Sequence, residues 1–140
     1  MTDAMRDEFL DEHNMRRSDV AEGAIPLGPR GYLCPTAARM PKLAMNEWFN
    51  GITKKGMNRQ MNFTPGIPFK PELPPFTQMV WAATTKVGCV VVRCNNNQAF
   101  TVCRYSPRGN IVGQRVYVPG PVCSGCSSNC DRAFGLCNTP

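Results

Sequence analysis

The stretch PFTQMVWAATTKVGCVVVRC, residues 75–94, contains two hydrophobic patterns that follow one another. In its first half, apolar side chains recur at helical spacing over two turns, at Phe76, Met79, Val80 and Ala83. Its second half, residues 87–94, is a β-branched run that is typical of a buried strand. The stretch therefore predicts a helix that leads into a sheet, and with it a mixed α+β fold.

The residues that follow predict the rest of this sheet. Three consecutive asparagines, 95–97, form a turn, and residues 99–105 return as the partner strand. After a second turn, residues 111–118 supply a third strand, which completes a small antiparallel meander. If the asparagines form the hairpin loop, Cys89 lies directly opposite Cys103 and can form a cross-strand disulfide with it.

Two more helices are predicted before this sheet. Residues 3–21 place apolar side chains near helical spacing, and Gly23 follows as a stop. Residues 43–55 follow the i, i+3, i+4, i+7 rule of an amphipathic helix. A proline-rich loop, residues 57–75, then separates this helix from the stretch that leads into the sheet.

Length and charge limit the class of protein. The 140 residues suffice for one domain, and the longest apolar run, residues 87–92, is far shorter than the ~18 residues of a membrane span. The first 22 residues hold seven of the ten acids and so lack the basic start and apolar centre of a secretion signal. We therefore expect that any such signal is not part of this chain. Residues 23–140 hold 13 Lys or Arg against three acids and are strongly basic.

The eight cysteines indicate an extracellular protein, because thiols at this density persist as disulfides only in an oxidising compartment. Cys94 faces away from Cys89, because the two are an odd number of residues apart on one strand. Cys34 is then the one cysteine left outside the C-terminal cluster, so we predict a Cys34–Cys94 bond.

A Pro-Gly-Pro segment, residues 119–121, divides the chain into a main domain, residues 1–118, and a cysteine-rich tail, residues 119–140. The tail has few apolar side chains, so its cysteines must stabilise it. They are expected to pair as Cys123–Cys130 and Cys126–Cys137. The rival interpretation is a four-thiolate zinc site, but zinc ribbons place about 12 or more residues between their two cysteine pairs, and that spacer is missing here.

Catalytic groups are scarce in this sequence. His13 is the single histidine, and no Ser or Cys accompanies it at a spacing that suggests a nucleophilic triad. Beyond the first helix, the three acids Glu47, Glu72 and Asp131 are far apart in sequence, so a catalytic carboxylate pair is not indicated. We expect no catalytic site, no metal site and no cofactor, and the sequence favours a binding or structural protein.

Two further features are weaker signals. Asn62-Phe63-Thr64 is an acceptor motif for N-glycosylation. The basic residues 23–140 could attract sulfated glycans, although their Lys and Arg residues are scattered in the way that is typical of a solvated surface.

Two segments resemble the signatures of a known family. Residues 76–81, followed by Val87-Gly88-Cys89, resemble the first signature of the CAP superfamily, the cysteine-rich secretory, antigen 5 and pathogenesis-related proteins. Residues 102–110, followed by Gly113 and Tyr117, resemble the second. The tail is similar to that of the nematode activation-associated secreted and venom-allergen-like proteins. The signature residues are Phe76, Thr77, Gln78, Trp81, Gly88, Cys103, Tyr105, Pro107, Gly109 and Asn110.

The resemblance implies an α-β-α sandwich, shortened here because a block of helix and strand between Arg39 and Leu43 is missing. The cleft of this family can hold a divalent cation with two histidines and two glutamates. Pro75 stands where one histidine is expected and Gly51 where one glutamate is expected. The other two ligands belong to the missing block, so the resemblance does not bring the metal site to this chain.

The resemblance also implies a function. It suggests a secreted, non-catalytic protein of nematode type that acts by contact with host immune or haemostatic proteins. A lipid or sterol carrier is a second hypothesis, because some members of the resembled family bind such ligands near the loop before the first signature. Here the proline-rich loop, residues 57–75, contains the apolar side chains of Phe63, Ile67 and Phe69. Binding of sulfated glycans by the basic residues is a third.

Overall fold

The computed structural model describes residues 3–26, 49, 51–93, 99–127 and 129–138. Its helices are α1 (Asp3–Ala21), α2 (Gly51–Lys55) and α3 (Leu73–Met79), with a 3-10 helix at Ile67–Phe69. Its strands are β1 (Lys86–Arg93), β2 (Ala99–Ser106), β3 (Cys130–Asp131) and β4 (Leu136–Cys137). Among these described residues, no helix combines the length and the apolar character needed to cross a membrane.

The first helix, α1, has the predicted bounds. It ends where Gly23 adopts a φ of 71°, a left-handed conformation that costs little for a residue without a Cβ atom. The Gly23 amide donates a hydrogen bond to the Val20 carbonyl at 3.1 Å, which closes the last turn. Val20 and Ala21 are fully buried, so the end of α1 is fixed against the rest of the molecule.

One hydrophobic core joins the helices, the loops between them and one residue of the tail. Phe76 meets Phe49 edge to face, with ring centroids 5.5 Å apart, and Phe63 meets Trp81 in the same way at 6.0 Å. Such pairs contribute about 0.5–1.5 kcal/mol beyond the burial of their area. The other fully buried apolar side chains of this core include Ile52, Met61, Leu73, Met79, Val80, Val116, Tyr117 and Leu136.

The third helix differs from the predicted one at both ends. It begins at Leu73, within the segment predicted as a loop, and ends at Met79, before Ala83. Pro74 and Pro75 are tolerated in its first turn because the amides there have no partner within a helix. The prediction of a helix over residues 43–55 is described only in part: α2 covers residues 51–55, Phe49 lies in a turn, and residues 43–48 and 50 lie outside the described residues.

Strands β1 and β2 form an antiparallel ribbon, and its register confirms the predicted one. Cys89 pairs with Cys103, and Val90 pairs with Val102. The Cys89–Cys103 disulfide is present and links the two strands. The asparagines 95–97, predicted as the turn, lie outside the described residues.

The prediction of a third strand at residues 111–118 is wrong. This segment bends instead, because Asn110 and Gly113 adopt left-handed φ values of 55° and 86°. It pairs with the preceding loop through a single bridge between Asn62 and Arg115. Backbone hydrogen bonds accompany this bridge; for example, the Phe63 amide donates to the carbonyl oxygen of Gln114 at 2.8 Å. In the described part of the chain, the sheet of the main domain therefore has two strands.

The structure also corrects the prediction for the apolar residues of loop 57–75. Phe63 and Ile67 are only 2% and 4% exposed, because they are part of the hydrophobic core. Phe69, at 86% exposed, is the one side chain of the three that faces solvent. Apolar content alone does not distinguish a loop that binds lipid from a loop that packs into a core, and here Phe63 and Ile67 pack.

The tail contains a second, smaller ribbon in which Cys130 pairs with Cys137. Its disulfides are Cys123–Cys130 and Cys126–Cys137, the pairs expected from the sequence. The predicted Cys34–Cys94 bond lies outside the described residues. The boundary between residues 118 and 119 stays a prediction.

Candidate functional site

A hydrogen-bond network connects α3 to the loop that follows β2, and most of its side chains belong to signature residues. The Thr77 hydroxyl donates to Asn110 Oδ1 at 2.6 Å, and Asn110 Nδ2 donates to the Pro74 carbonyl at 2.8 Å. These bonds hold Asn110 in its left-handed conformation, which asparagine tolerates better than most residues. The signature thus fixes the path of the chain at this point.

Gln78, the next residue of α3 after Thr77, extends the network. Its side-chain oxygen accepts a hydrogen bond from the Gly109 amide at 2.8 Å, and its amide nitrogen donates to the Thr84 hydroxyl at 3.3 Å. The Thr84 hydroxyl donates in turn to the Pro107 carbonyl at 2.7 Å. Thr84 was not singled out from the sequence, although it is fully buried and completes this chain of bonds.

The Trp81 ring packs directly on Gly109. A Cβ atom at position 109 would lie 2.5 Å from Trp81 Cγ, closer than real Cβ atoms approach a neighbour. Glycine is therefore required here by the space available. No such restriction applies at Gly88, because a Cβ atom there would meet nothing within 4 Å. Nothing in the structure explains this glycine.

An open groove of about 450 Å³ lies beside this network. It is lined by Pro74, Pro75, Gln78, Cys103, Tyr105, Arg108 and Asn110. Five of these seven belong to the two signature segments, so the network also shapes the groove. Arg108 is exposed and is the one cation of the lining. None of the seven lining residues offers a carboxylate or an imidazole.

A buried polar cluster supports the groove from the side of α1. Tyr105 forms a hydrogen bond of 3.3 Å with His13 Nε2, and burial raises the pKa of the Tyr105 phenol to about 12, although nearby Arg17 lowers it. Burial, and then the charge of Arg17, lower the pKa of His13 to about 2. His13 and Tyr105 are therefore both neutral near pH 7, and the imidazole is in the state expected of a structural histidine.

Arg17 connects α1 to the end of α3. Its Nη1 atom donates to the Met79 carbonyl at 2.7 Å and its Nη2 atom lies 3.4 Å from the Trp81 carbonyl. Burial lowers the pKa of Arg17 to about 9, so the guanidinium remains charged at neutral pH. The carbonyl oxygens at a helix C-terminus favour a cation, which offsets part of the cost of burying it. Sequence reasoning missed this role, because nothing local distinguishes a buried arginine from an exposed one.

The residues at the groove do not fit the divalent cation that the family resembled by this sequence can hold. Pro75 lines the groove but has no ligand atom. At position 51, a Cβ atom would collide with the backbone carbonyl of Glu72, so the space for a glutamate side chain is filled. In the part of the chain that the structure describes, the one cluster of metal-ligand type is formed by Cys123, Cys126 and Cys130, all of them in disulfides.

The predicted glycosylation site stays a prediction. Asn62 is half-buried and its backbone is fixed by Asn58, whose Oδ1 atom accepts from the Asn62 amide at 2.9 Å and whose Nδ2 atom donates to the Asn62 carbonyl at 2.8 Å. Thr64, the third residue of the motif, is exposed.

In this fold, hydrogen bonds between the two signatures hold α3 to a disulfide-bonded ribbon. This arrangement defines a class of cysteine-rich proteins, and comparison with known proteins supports the same class. Residues 8–105 match the family described as "CAP: Cysteine-rich secretory protein family". The match covers well over half of the 140 residues, and the chain belongs to this family.

A curated relative is the Ancylostoma secreted protein of Ancylostoma caninum, with 30% identity over 194 aligned positions. The match covers 100% of this chain and 45% of the relative, so the chain spans about half the length of that protein. Because the alignment has more positions than the 140 residues of the chain, the relative contains residues that have no counterpart here.

Two solved structures share the fold. The crystal structure of NaASP2 with Zn2+ is 29% identical, with a TM-score of 0.86 over 98% of this chain and 96% of that one. The structure of BmVAL-1 is 20% identical, with a TM-score of 0.89 over 100% of this chain and 96% of that one, which shows the fold alone. These matches confirm the predicted α+β CAP-type fold.

Proposed function

We propose that this chain is a secreted, non-catalytic protein that binds an extracellular host protein, with immune or haemostatic proteins as the candidates, through the groove lined by Pro74, Pro75, Tyr105, Arg108 and Asn110. The single observation that supports this proposal is the chemistry of the groove. Its described lining offers hydrogen-bonding groups and one guanidinium but no carboxylate or imidazole, and burial raises the pKa of its one phenol, that of Tyr105, to about 12. Such a surface can recognise a partner, whereas general acid–base catalysis is most efficient with a group whose pKa lies near the working pH.

The groove is also preorganised. Thr77 and Gln78 use their side chains to fix the loop at residues 109–110, so little conformational entropy is lost there when a partner binds. The Cys89–Cys103 disulfide fixes the strand that supplies Tyr105. Rigid backbone around a shallow groove favours a protein partner, which can supply a shaped surface in return.

The charge of the groove favours an acidic group on the partner. Arg108 is exposed at the rim, and residues 23–140 as a whole hold 13 cations against three acids. A carboxylate of the partner can accept two parallel hydrogen bonds from a guanidinium, which fixes orientation as well as charge.

Secretion is proposed on two grounds. Three disulfides are present among the described residues, and disulfides persist mainly in oxidising compartments. The curated relative from Ancylostoma caninum is a secreted protein by its name.

The test measures saturable binding of the fluorescently labelled chain to washed host leukocytes and platelets, with heparin present to block nonspecific charge. Arg108→Glu is expected to weaken binding by about tenfold or more, because it places a carboxylate at the point of contact. The matched control is Arg115→Glu, which makes the same charge change at an exposed arginine outside the groove. It is expected to leave binding unchanged.

Two outcomes contradict the proposal. If both variants lose binding equally, and heparin retains the wild-type chain up to high salt, the basic surface binds sulfated glycans without using the groove. If no saturable binding is found on either cell type, the candidate host proteins are wrong.

A further inference from the structure

The β1–β2 ribbon has one face turned toward α1 and one face turned away from it. The Tyr105 hydroxyl lies 3.3 Å from His13 Nε2 of α1, so Tyr105 marks the face that is turned toward this helix. Successive side chains of a strand point to opposite faces, so Arg104 and Val102 belong to the other face. Val90 pairs with Val102 and shares that face.

The face turned away from α1 has an apolar centre with basic residues beside it. Val90 and Val102 lie opposite each other and are 52% and 54% exposed. Arg104 and Lys86, both exposed, follow this pair toward the end of the ribbon at Ser106. The solvent-facing side of an antiparallel sheet is usually polar, so an exposed pair of valines is a surface that a partner can cover. We call Lys86, Val90, Val102 and Arg104 the ribbon face.

The exposed side of α1 has the complementary composition. Asp7, Asp11 and Met15 recur every four residues and lie on one side of the helix, and all three are exposed. Leu10 is also exposed and lies beside them, three residues after Asp7. Asp11 and Met15 are each two residues from His13, which is about 200° around the helix, so this side points away from the ribbon. We call Asp7, Leu10, Asp11 and Met15 the helix face.

The charges of the two faces are opposite in sign and available to a partner. Among the described residues, no ion pair involves the charged side chains of either face, whereas Glu12 and Asp19 of α1 both pair with Arg16. The first 22 residues hold seven acids against three arginines, and residues 23–140 hold 13 cations against three acids. One copy of this chain therefore offers an acidic helix surface and a basic sheet surface at the same time.

We propose that the helix face of one copy of this chain binds the ribbon face of a second copy in a head-to-tail contact. The two apolar side chains of the helix face cover the two valines of the ribbon face, and its two aspartates accept hydrogen bonds from the two cations. A helix then lies on each face of the ribbon, one from the same chain and one from the second copy. Because the two faces point in opposite directions on one chain, the contact repeats from copy to copy instead of ending at a dimer.

Charge disfavours the symmetric arrangements. Two ribbon faces in contact would bring Lys86 and Arg104 of one copy to the same residues of the other, and two helix faces would bring aspartates together. Like charges at a contact cost free energy and act against both arrangements. The head-to-tail contact pairs opposite charges instead. It uses none of the residues that line the groove, so self-association and binding of a partner at the groove are independent.

The test is sedimentation of the full, disulfide-bonded chain at low salt, at concentrations up to about 1 mM, because a contact of this size is expected to be weak. We expect the average mass to rise with concentration beyond that of two copies. Association should weaken by about tenfold when the ionic strength is raised from about 0.05 M to about 0.5 M, since salt screens exposed charges.

Charge reversal tests each face separately. Lys86→Glu with Arg104→Glu reverses the ribbon face, and Asp7→Lys with Asp11→Lys reverses the helix face. Each double variant alone is expected to self-associate about tenfold or more weakly than wild type, because both of its faces then have the same sign. An equimolar mixture of the two double variants is expected to recover association, because each copy again meets a partner face of opposite charge. Circular dichroism checks that both variants keep their fold.

The matched control is Arg115→Glu with Arg132→Glu, which makes the same charge change at two exposed arginines outside both faces and is expected to leave association unchanged. The proposal is overturned if the wild-type chain stays monomeric up to about 1 mM, or if its mass stops rising at two copies. It is also overturned if the control loses association as fully as the ribbon-face variant does, or if the mixture associates no better than its two components alone.

Discussion

The main domain and the tail are stabilised by different means. The main domain buries large side chains such as Phe76 and Trp81, and a connected set of hydrogen bonds fixes its loops. Of the described residues of the tail, only Gly135, Leu136 and Cys137 are buried. Two disulfides, across separations of 7 and 11 residues, replace the missing apolar interior there.

This difference separates two kinds of stability. Closing loops of the size found in the tail contributes about 2.5–3 kcal/mol for each disulfide on the chain-entropy estimate, and reduction removes it. The burial that stabilises the main domain does not depend on redox state. Residues of the same type in the two regions should therefore respond very differently to the same substitution.

The largest difference is expected between Phe76 and Phe134. Phe76 is fully buried against Phe49, so Phe76→Ala should lower the free energy of unfolding by about 3–5 kcal/mol. Phe134 is 47% exposed in the tail, so Phe134→Ala should cost about 1 kcal/mol or less. Urea unfolding followed by circular dichroism measures both. Equal losses would mean that the tail contributes to the core as strongly as α3 does.

Two arginines give the next comparison. Arg17→Met removes the donor to the buried Met79 carbonyl and should lower the free energy of unfolding by about 2–3 kcal/mol, because an unpaired buried acceptor is costly. Arg132→Met changes an exposed side chain of the tail and should stay within about 0.5 kcal/mol of wild type. If Arg17→Met is neutral by the same urea assay, the guanidinium gains no more from the end of α3 than its burial costs.

The sequence predicts those parts of the fold that local pattern determines. The register of β1 and β2 follows from a period of two residues and the position of the three asparagines, and both are visible in the sequence. The prediction of a third strand is wrong although its residues have strand propensity. The left-handed conformations of Asn110 and Gly113 bend the chain toward residues 61–63 instead. Tertiary contacts decide that outcome, and they are absent from a local pattern.

The residues of the candidate site could be predicted from the sequence, but their arrangement in space could not. Gln78 and Asn110 are recognisable as signature residues, but only the structure shows that Gln78 accepts from the Gly109 amide of the second signature and that Asn110 donates to the Pro74 carbonyl of α3. Phe63 and Ile67 illustrate a different error. Their apolar character predicts burial and ligand binding equally well, and in the folded chain both side chains are buried. Arg17 gave no signal of its own, since its partners are backbone carbonyls 62 and 64 residues away.

The smallest expected effect is a loss of stability at low pH, which arises in the main domain. His13 is the single histidine of the chain, so the tail has no imidazole to titrate. Because burial and then Arg17 lower the folded pKa of His13 to about 2, the unfolded chain takes up a proton below its ordinary pKa of 6.5 that the folded chain does not. Stability should therefore be unaffected by His13 above about pH 6.5 and should fall as the pH drops below it. At about pH 5 the loss is about 2 kcal/mol.

His13→Gln isolates this effect, because glutamine can still form a hydrogen bond with Tyr105 but does not titrate. Urea unfolding at about pH 7.5 and about pH 5 should show a smaller loss for the variant than for wild type, and the difference between the two losses measures the contribution of His13. Hydrogen exchange at the lower pH should increase in α1 and at Tyr105 before it increases in the tail, whose disulfides do not titrate. If wild type and variant lose the same stability on acidification, the His13 imidazole is able to protonate within the folded chain, and the main domain is not the region that acid opens first.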